Sequence, residues 1–179
     1  ENEESMDLAR EAYEDNADYL KEANQSGENV TPYEMDSEVD VKRADEKVVS
    51  YVREDFSQLG GAHPSKYFTG KNYDAKTGEE LSLRDVVSNY DGLYQYVLDE
   101  LAQREKEDGN ENCYFDGYED TVKQMFYGAS DDSSTDTADG SEESGLYPDM
   151  QAVVQWYLED DGLTVIFNDY DIAPYAYGP

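Results

Sequence analysis

"WYLEDDGLTVIF", residues 156–167, settles the class of fold. Apolar β-formers flank Asp161-Gly162, and an Asp-Gly pair in that setting is a strong hairpin signal. A tight turn joins antiparallel neighbours, whereas a parallel pair needs a crossover of a dozen or more residues. The spacing therefore predicts strand–turn–strand over 153–167, and with it an antiparallel sheet.

Working outward, the chain offers three more strands of the same kind. Residues 33–43 set Met35, Val39 and Val41 in rough alternation with charges, the pattern of a half-buried strand. Ala44-Asp45-Glu46 is polar enough to turn, and residues 47–56 return, rich in Val, Tyr and Phe. After Gly60-Gly61, residues 65–73 alternate again, with Tyr67 and Tyr73 on one face. "DAKTGEE", residues 74–80, reads as a turn in which Gly78 can take positive φ. The closing residues, "NDYDIAPYAYGP", form an irregular tail rich in Tyr and Pro.

Helical periodicity marks three further segments. Leu8, Ala12, Tyr19 and Ala23 share one face of residues 3–23. Leu93, Val97 and Leu101 do the same over 91–106. Val122, Met125 and Phe126 fall in a short helix at 119–127, and Ser82 with Asp85 has the spacing of a capping box. About six strands and three helices, with short turns between neighbouring strands, point to an α+β fold. The expected architecture is one antiparallel sheet, the 153–167 hairpin included, with helices mainly on one face. We expect one compact domain over 1–179. Its N-terminal half, 1–58, is helix plus hairpin, and 59–179 carries the remaining motifs. Residues 129–145 hold six acids, no base and nothing apolar larger than Ala, so they read as a solvated surface insertion.

Charge limits the partners. The 179 residues include 44 acids against 13 Lys and Arg, a formal net charge of −31. Residues 124–179 contain twelve acids and no base, which reads as a solvated acidic surface. Such a field repels nucleic acid and anionic membranes and attracts cationic proteins. The 17 tyrosines and 5 phenylalanines argue for an ordered core despite that charge. Cys113 is the single cysteine, so no internal disulfide forms. No apolar run is long enough to span a bilayer. The start, "ENEES", reads as the trimmed end of a chain whose targeting or anchoring segment would precede it.

Three stretches occur in a telling order: "GGAHPSKYFTGKNYDAKTGEELSLRDVV" (60–87), the amphipathic helix after it, and "WYLEDDGLTVIFNDYDIAPYAYGP" (156–179). Together they resemble the extracytoplasmic domain shared by RsiV-type anti-sigma factors and PdaC-type peptidoglycan deacetylases, a largely uncharacterised family of Gram-positive envelope proteins. Its marks are the Gly-Gly-Ala-His turn, the D-x-K-T-G-x-x-L-x-L-x-D hairpin and the closing Y-x-I-A-P-Y-x-x-G. The resemblance implies a non-enzymatic extracytoplasmic sensor or binding domain, membrane-anchored or lipoprotein-borne, whose partner is a cationic, lysozyme-like protein. The alternative it implies is an accessory cell-wall-binding domain of a peptidoglycan deacetylase. The chain departs from both branches. Nothing within these 179 residues reads as a sigma-binding segment or a deacetylase domain, and they include the acidic insertion.

Four candidate sites remain to be weighed. His63 is the only histidine. Gly60 and Gly61 free the backbone before it, and Pro64 holds it extended. Catalysis would need a partner that no motif supplies, so Gly60, Gly61, His63 and Pro64 read as a structural turn. "DGNENCYFDGYE", residues 108–119, places Asp108, Asn110, Asn112, Tyr114, Asp116 and Glu119 at the ligand positions of a calcium loop. Cys113 stands where that loop requires Gly, so a polar helix–helix loop without metal is the expectation. The many carboxylates guarantee chance pairs and assign no acid–base site. Tyr170, Tyr175 and Tyr177 admit two readings, an exposed recognition patch and a tail packed on the sheet. No cofactor is expected.

Overall fold

The computed structural model describes residues 2–26, 33–59, 63–107, 113–128 and 153–177. The fold is α+β. Helix α1 (Asn2–Ser26) comes first, then strands β1 (Glu34–Ala44), β2 (Val48–Gln58) and β3 (Ser65–Asp74). Helices α2 (Leu83–Val86), α3 (Tyr90–Glu107) and α4 (Tyr118–Tyr127) follow. Strands β4 (Gln155–Leu158) and β5 (Leu163–Ile166) and a 3-10 turn, Tyr175–Tyr177, complete the described chain. The expected insertion at 129–145 lies outside the described residues, as do Gly60 and Gly61.

β1, β2 and β3 form an antiparallel meander, β2 in the middle. Carboxylates make the turns that follow β1 and β3. Asp45 accepts the amides of Lys47 and Val48 at 2.7 and 2.9 Å. Those bonds, with the Arg43 guanidinium, hold its carboxyl at about 2. Asp74 accepts the amides of Lys76 and Thr77, and Gly78 takes φ +73°. At α2, the Asp85 carboxylate accepts both the amide and the hydroxyl of Ser82, closing the expected capping box.

One face of the meander is the core. Val48 of β2 joins Val97 and Leu101 of α3, Val122, Met125 and Phe126 of α4, and Trp156 and Leu158 of β4 in a single apolar cluster. Leu93 packs partly buried against it. The Tyr90 hydroxyl donates to the Phe126 carbonyl at 2.7 Å and locks α3 to α4. α1 touches the sheet region through Tyr19, stacked on Tyr33, and through Asn16, which accepts the Tyr33 amide. The side chains of Leu8, Ala12 and Ala23 lie outside the described set.

One expectation is corrected. The 153–167 segment is a hairpin, but it pairs only with itself, as a separate two-stranded sheet. Its loop spans four residues, closed by the Glu159 amide on the Gly162 carbonyl. β4 meets the meander edge to face. Ser50 and Asn72 are fully buried side by side on the core face, where the Ser50 hydroxyl donates to Asn72 Oδ1 at 2.7 Å. Asn72 Nδ2 then donates to the Trp156 carbonyl, and the Leu158 amide donates to Ser50 Oγ. Side chains thus do for the free edge of β4 what a neighbouring strand would have done. The approach is so close that a Cβ on Gly70 would overlap the Trp156 carbonyl.

Candidate functional site

The site grows from the turn after β5. Asn168 is buried, and its side-chain amide mimics a strand: Oδ1 accepts the Phe68 amide at 2.7 Å and Nδ2 donates to the Phe68 carbonyl at 3.1 Å. Its own amide donates to Asp171 Oδ2 at 2.7 Å, and the Asp171 amide returns to the Asn168 carbonyl. This closed turn forces Tyr170 into the left-handed region at φ +68°, the one non-glycine residue there among those described. That conformation costs a bulky residue about 1–2 kcal/mol. It throws the ring out to the surface, where Tyr170 stays half exposed.

The ring meets the turn before β3. His63 Nε2 lies 2.9 Å from the Tyr170 hydroxyl, and Nδ1 lies 2.8 Å from the Pro64 carbonyl. A carbonyl only accepts, so Nδ1 carries a hydrogen and donates to Pro64; in that tautomer Nε2 accepts the hydrogen bond of the Tyr170 hydroxyl. The His63 ring stacks on Tyr175 with centroids 3.9 Å apart and planes 13° off parallel. Tyr170 and Tyr175 lie 6.4 Å apart. Beneath the rings, Ile172 and Ala173 are buried and anchor the tail. The tail's apolar residues pack, and its rings form a surface cluster.

Charged groups frame the cluster. Lys66 is bound to Glu54, which raises its pKa, with smaller contributions from Tyr175 and Asp169. Asp171 is held above the usual carboxylate range, first by burial and then by Asp169, against the pull of the Asn168 amide. Asp169 Oδ1 is buried without a hydrogen-bond partner. A separate cleft of about 500 Å³ is lined by Asn168, Tyr177, Phe68 and Ile172 and by two bases, Lys42 and Arg104. Stacked rings beside carboxylates suit a flat or cationic side chain from a partner.

Of the calcium-loop candidates, Asp108, Asn110 and Asn112 lie outside the described residues, and Asp116 and Glu119 are exposed. The Tyr114 ring packs tilted against Tyr118 at 4.7 Å, and Cys113 is a buried free thiol. Among the described residues no group of three or more His, Cys, Asp or Glu could hold a metal ion. No helix among them is long and apolar enough to cross a membrane. Sequence reasoning treated His63 and the tyrosines as separate candidates and passed over Asn168, Ser50 and Asn72. The signal for the last two was a small polar residue in phase with the core-facing positions of a strand.

A family profile described as "Protein of unknown function (DUF3298)" matches residues 85–179. No curated protein matches. Five chains of solved structures match. One is a DUF3298 family protein from Pseudomonas aeruginosa PAO1, 19% identical with a TM-score of 0.46. That alignment covers 90% of this chain and 61% of the Pseudomonas protein, so the chain spans less than two thirds of its length. The profile takes in α3, α4, the β4–β5 hairpin and the tyrosine tail, more than half of the sequence, and the chain belongs to the DUF3298 family.

Proposed function

We propose that the domain is a non-enzymatic binding module that acts outside the cytoplasmic membrane and recognises a cationic protein. The observation that carries this reading is the ring cluster of His63, Tyr170 and Tyr175 standing at the surface of a chain with net charge −31. Charge of that size speeds encounter with a basic partner. Specificity comes from aromatic anchors that bury on binding, and Tyr170 is held ready by its turn. Resemblance to the RsiV-type sensors makes a lysozyme-like protein the first partner to try. The same resemblance supports an anchored, extracytoplasmic position.

The test is a binding titration against lysozyme, with an unrelated, equally acidic protein as control. Binding should weaken steeply as the Debye length falls from about 10 Å at 0.1 M salt to about 3 Å at 1 M. Tyr170→Ala and Tyr175→Ala should speed dissociation while leaving association nearly unchanged. If the control protein binds as tightly, or if both variants dissociate at the parental rate, the reading fails.

A further inference from the structure

Among the described residues no strand pairs with the outer edge of β1. Asn72 turns its carbonyl away from β2 to accept the Leu81 amide, and Asn72 pairs with Ser50. In an antiparallel ladder such facings alternate, so Ser50 and Val52 direct their backbone at β1. Asp40 pairs with Val52. Asp36, Glu38 and Asp40 therefore bond to β2, and Met35, Ser37, Val39 and Val41 turn their N–H and C=O groups outward. Of these, the Ser37 amide is taken by Asp36 Oδ1 at 3.0 Å. The side chains sort by face just as cleanly. Met35, Val39 and Val41 stand on the back of the sheet, 46%, 58% and 57% exposed. Asp36, Glu38 and Asp40 stand on the front, all exposed. The run ends at a register shift between Val41 and Arg43, where Lys42 bonds Asp40.

Charges on an edge strand guard against unwanted pairing. Here the guard from 34 to 41 has one sign, and a guard of one sign is selective. A second copy pairing along β1 would set carboxylate against carboxylate, which is destabilising. A strand with Lys or Arg in alternate positions would meet Asp36, Glu38 and Asp40 with opposite charges. Its intervening Val, Ile or Thr would cover Met35, Val39 and Val41. We propose that β1 is a strand-addition site for an extended basic segment of a partner protein, alternating Lys or Arg with β-branched residues. It stands apart from the ring cluster, because β1 and β3 are the opposite edges of the meander. Either surface can fail without the other.

The experiment titrates the full chain with a peptide of about seven residues alternating Lys and Val, matching the open stretch of β1. Amide exchange is read residue by residue. New protection is expected at Met35, Val39 and Val41. The same peptide with a central Pro should not bind, because a strand cannot tolerate it. Val39→Pro in the protein removes an outward N–H without touching the β1–β2 ladder, and should abolish binding while the fold persists. Should that variant unfold, Asp36→Lys with Glu38→Lys provides the second reading. It should weaken the Lys-Val peptide roughly tenfold and admit a Glu-Val peptide instead. Protection elsewhere, equal binding of the Pro peptide, or an unchanged preference after charge reversal would each overturn the proposal. So would self-association of the unmodified chain through β1.

Discussion

Along β3, the outer edge of the meander is closed group by group: Asn168 takes the Phe68 amide and carbonyl, Gln155 takes the Gly70 amide at 3.2 Å, and the Leu81 amide takes the Asn72 carbonyl. Along β1, the same sheet presents alternating carboxylates and exposed apolar groups to solvent. The difference separates two ways of finishing an edge. Side-chain capping ties β3 to the rest of the fold and makes its residues matter for stability. Charge leaves the outer edge of β1, among the described residues, unpaired and available to something else.

If this contrast holds, substitutions near β3 destabilise and those on β1 do not. The largest effect is expected at Gly70→Val. A side chain there collides with the Trp156 backbone, so the hairpin must lift, costing about 3 kcal/mol or more. Denaturant unfolding measures it, and a cost below about 1 kcal/mol would show that β4 is not tightly docked. Next comes Asn72→Ala, which orphans the buried Trp156 carbonyl and removes the partner of Ser50, for about 2 kcal/mol. Ser50→Ala should cost a similar amount by orphaning the Leu158 amide, and a combined loss smaller than the sum of the two, read as a double-mutant cycle, would sharpen the assignment to the relay.

A smaller effect, of opposite sign, is expected at Asp171→Asn. The folded carboxyl titrates above its ordinary value of 3.8, so its charged form is disfavoured by folding. At neutral pH the substitution should therefore stabilise, since the amide oxygen can still accept from Asn168. That advantage should fade as pH falls through the raised folded value and be gone well below 3.8, where the carboxyl is neutral in both states. Melting temperatures across acid pH check this, and a variant less stable at neutral pH would contradict it. Smallest of all, Val41→Thr on β1 should stay within about 0.5 kcal/mol of the parent. A larger loss would mean that β1 is not an open edge.

The comparison also shows what the sequence could and could not say. Strands, helices, the Ser82–Asp85 box and the positive φ of Gly78 were legible because each rests on neighbours in the chain. The separate pairing of the hairpin was not. A period of two says that a strand is half buried, not whose edge it joins. The choice was made by Ser50 and Asn72, which bond to β4 across 108 and 84 residues. The ring cluster was hidden for the same reason, since His63 and Tyr170 are 107 residues apart. Its orientation depends on the left-handed turn at Tyr170, where residue type gives no hint, because tyrosine does not favour that backbone.

The polar pair at the centre of the meander has a further consequence for the order of assembly. The three meander strands follow one another in sequence with short turns, so they can pair early through local contacts. The hairpin arrives from far along the chain and must wait for a long loop to close. In the interval, the middle of the uncovered face shows a hydroxyl and an amide, which water solvates well. An uninterrupted apolar strip would instead invite chains to stick to one another before folding ended. The two side chains that secure the finished molecule are thus the ones that interrupt such a strip.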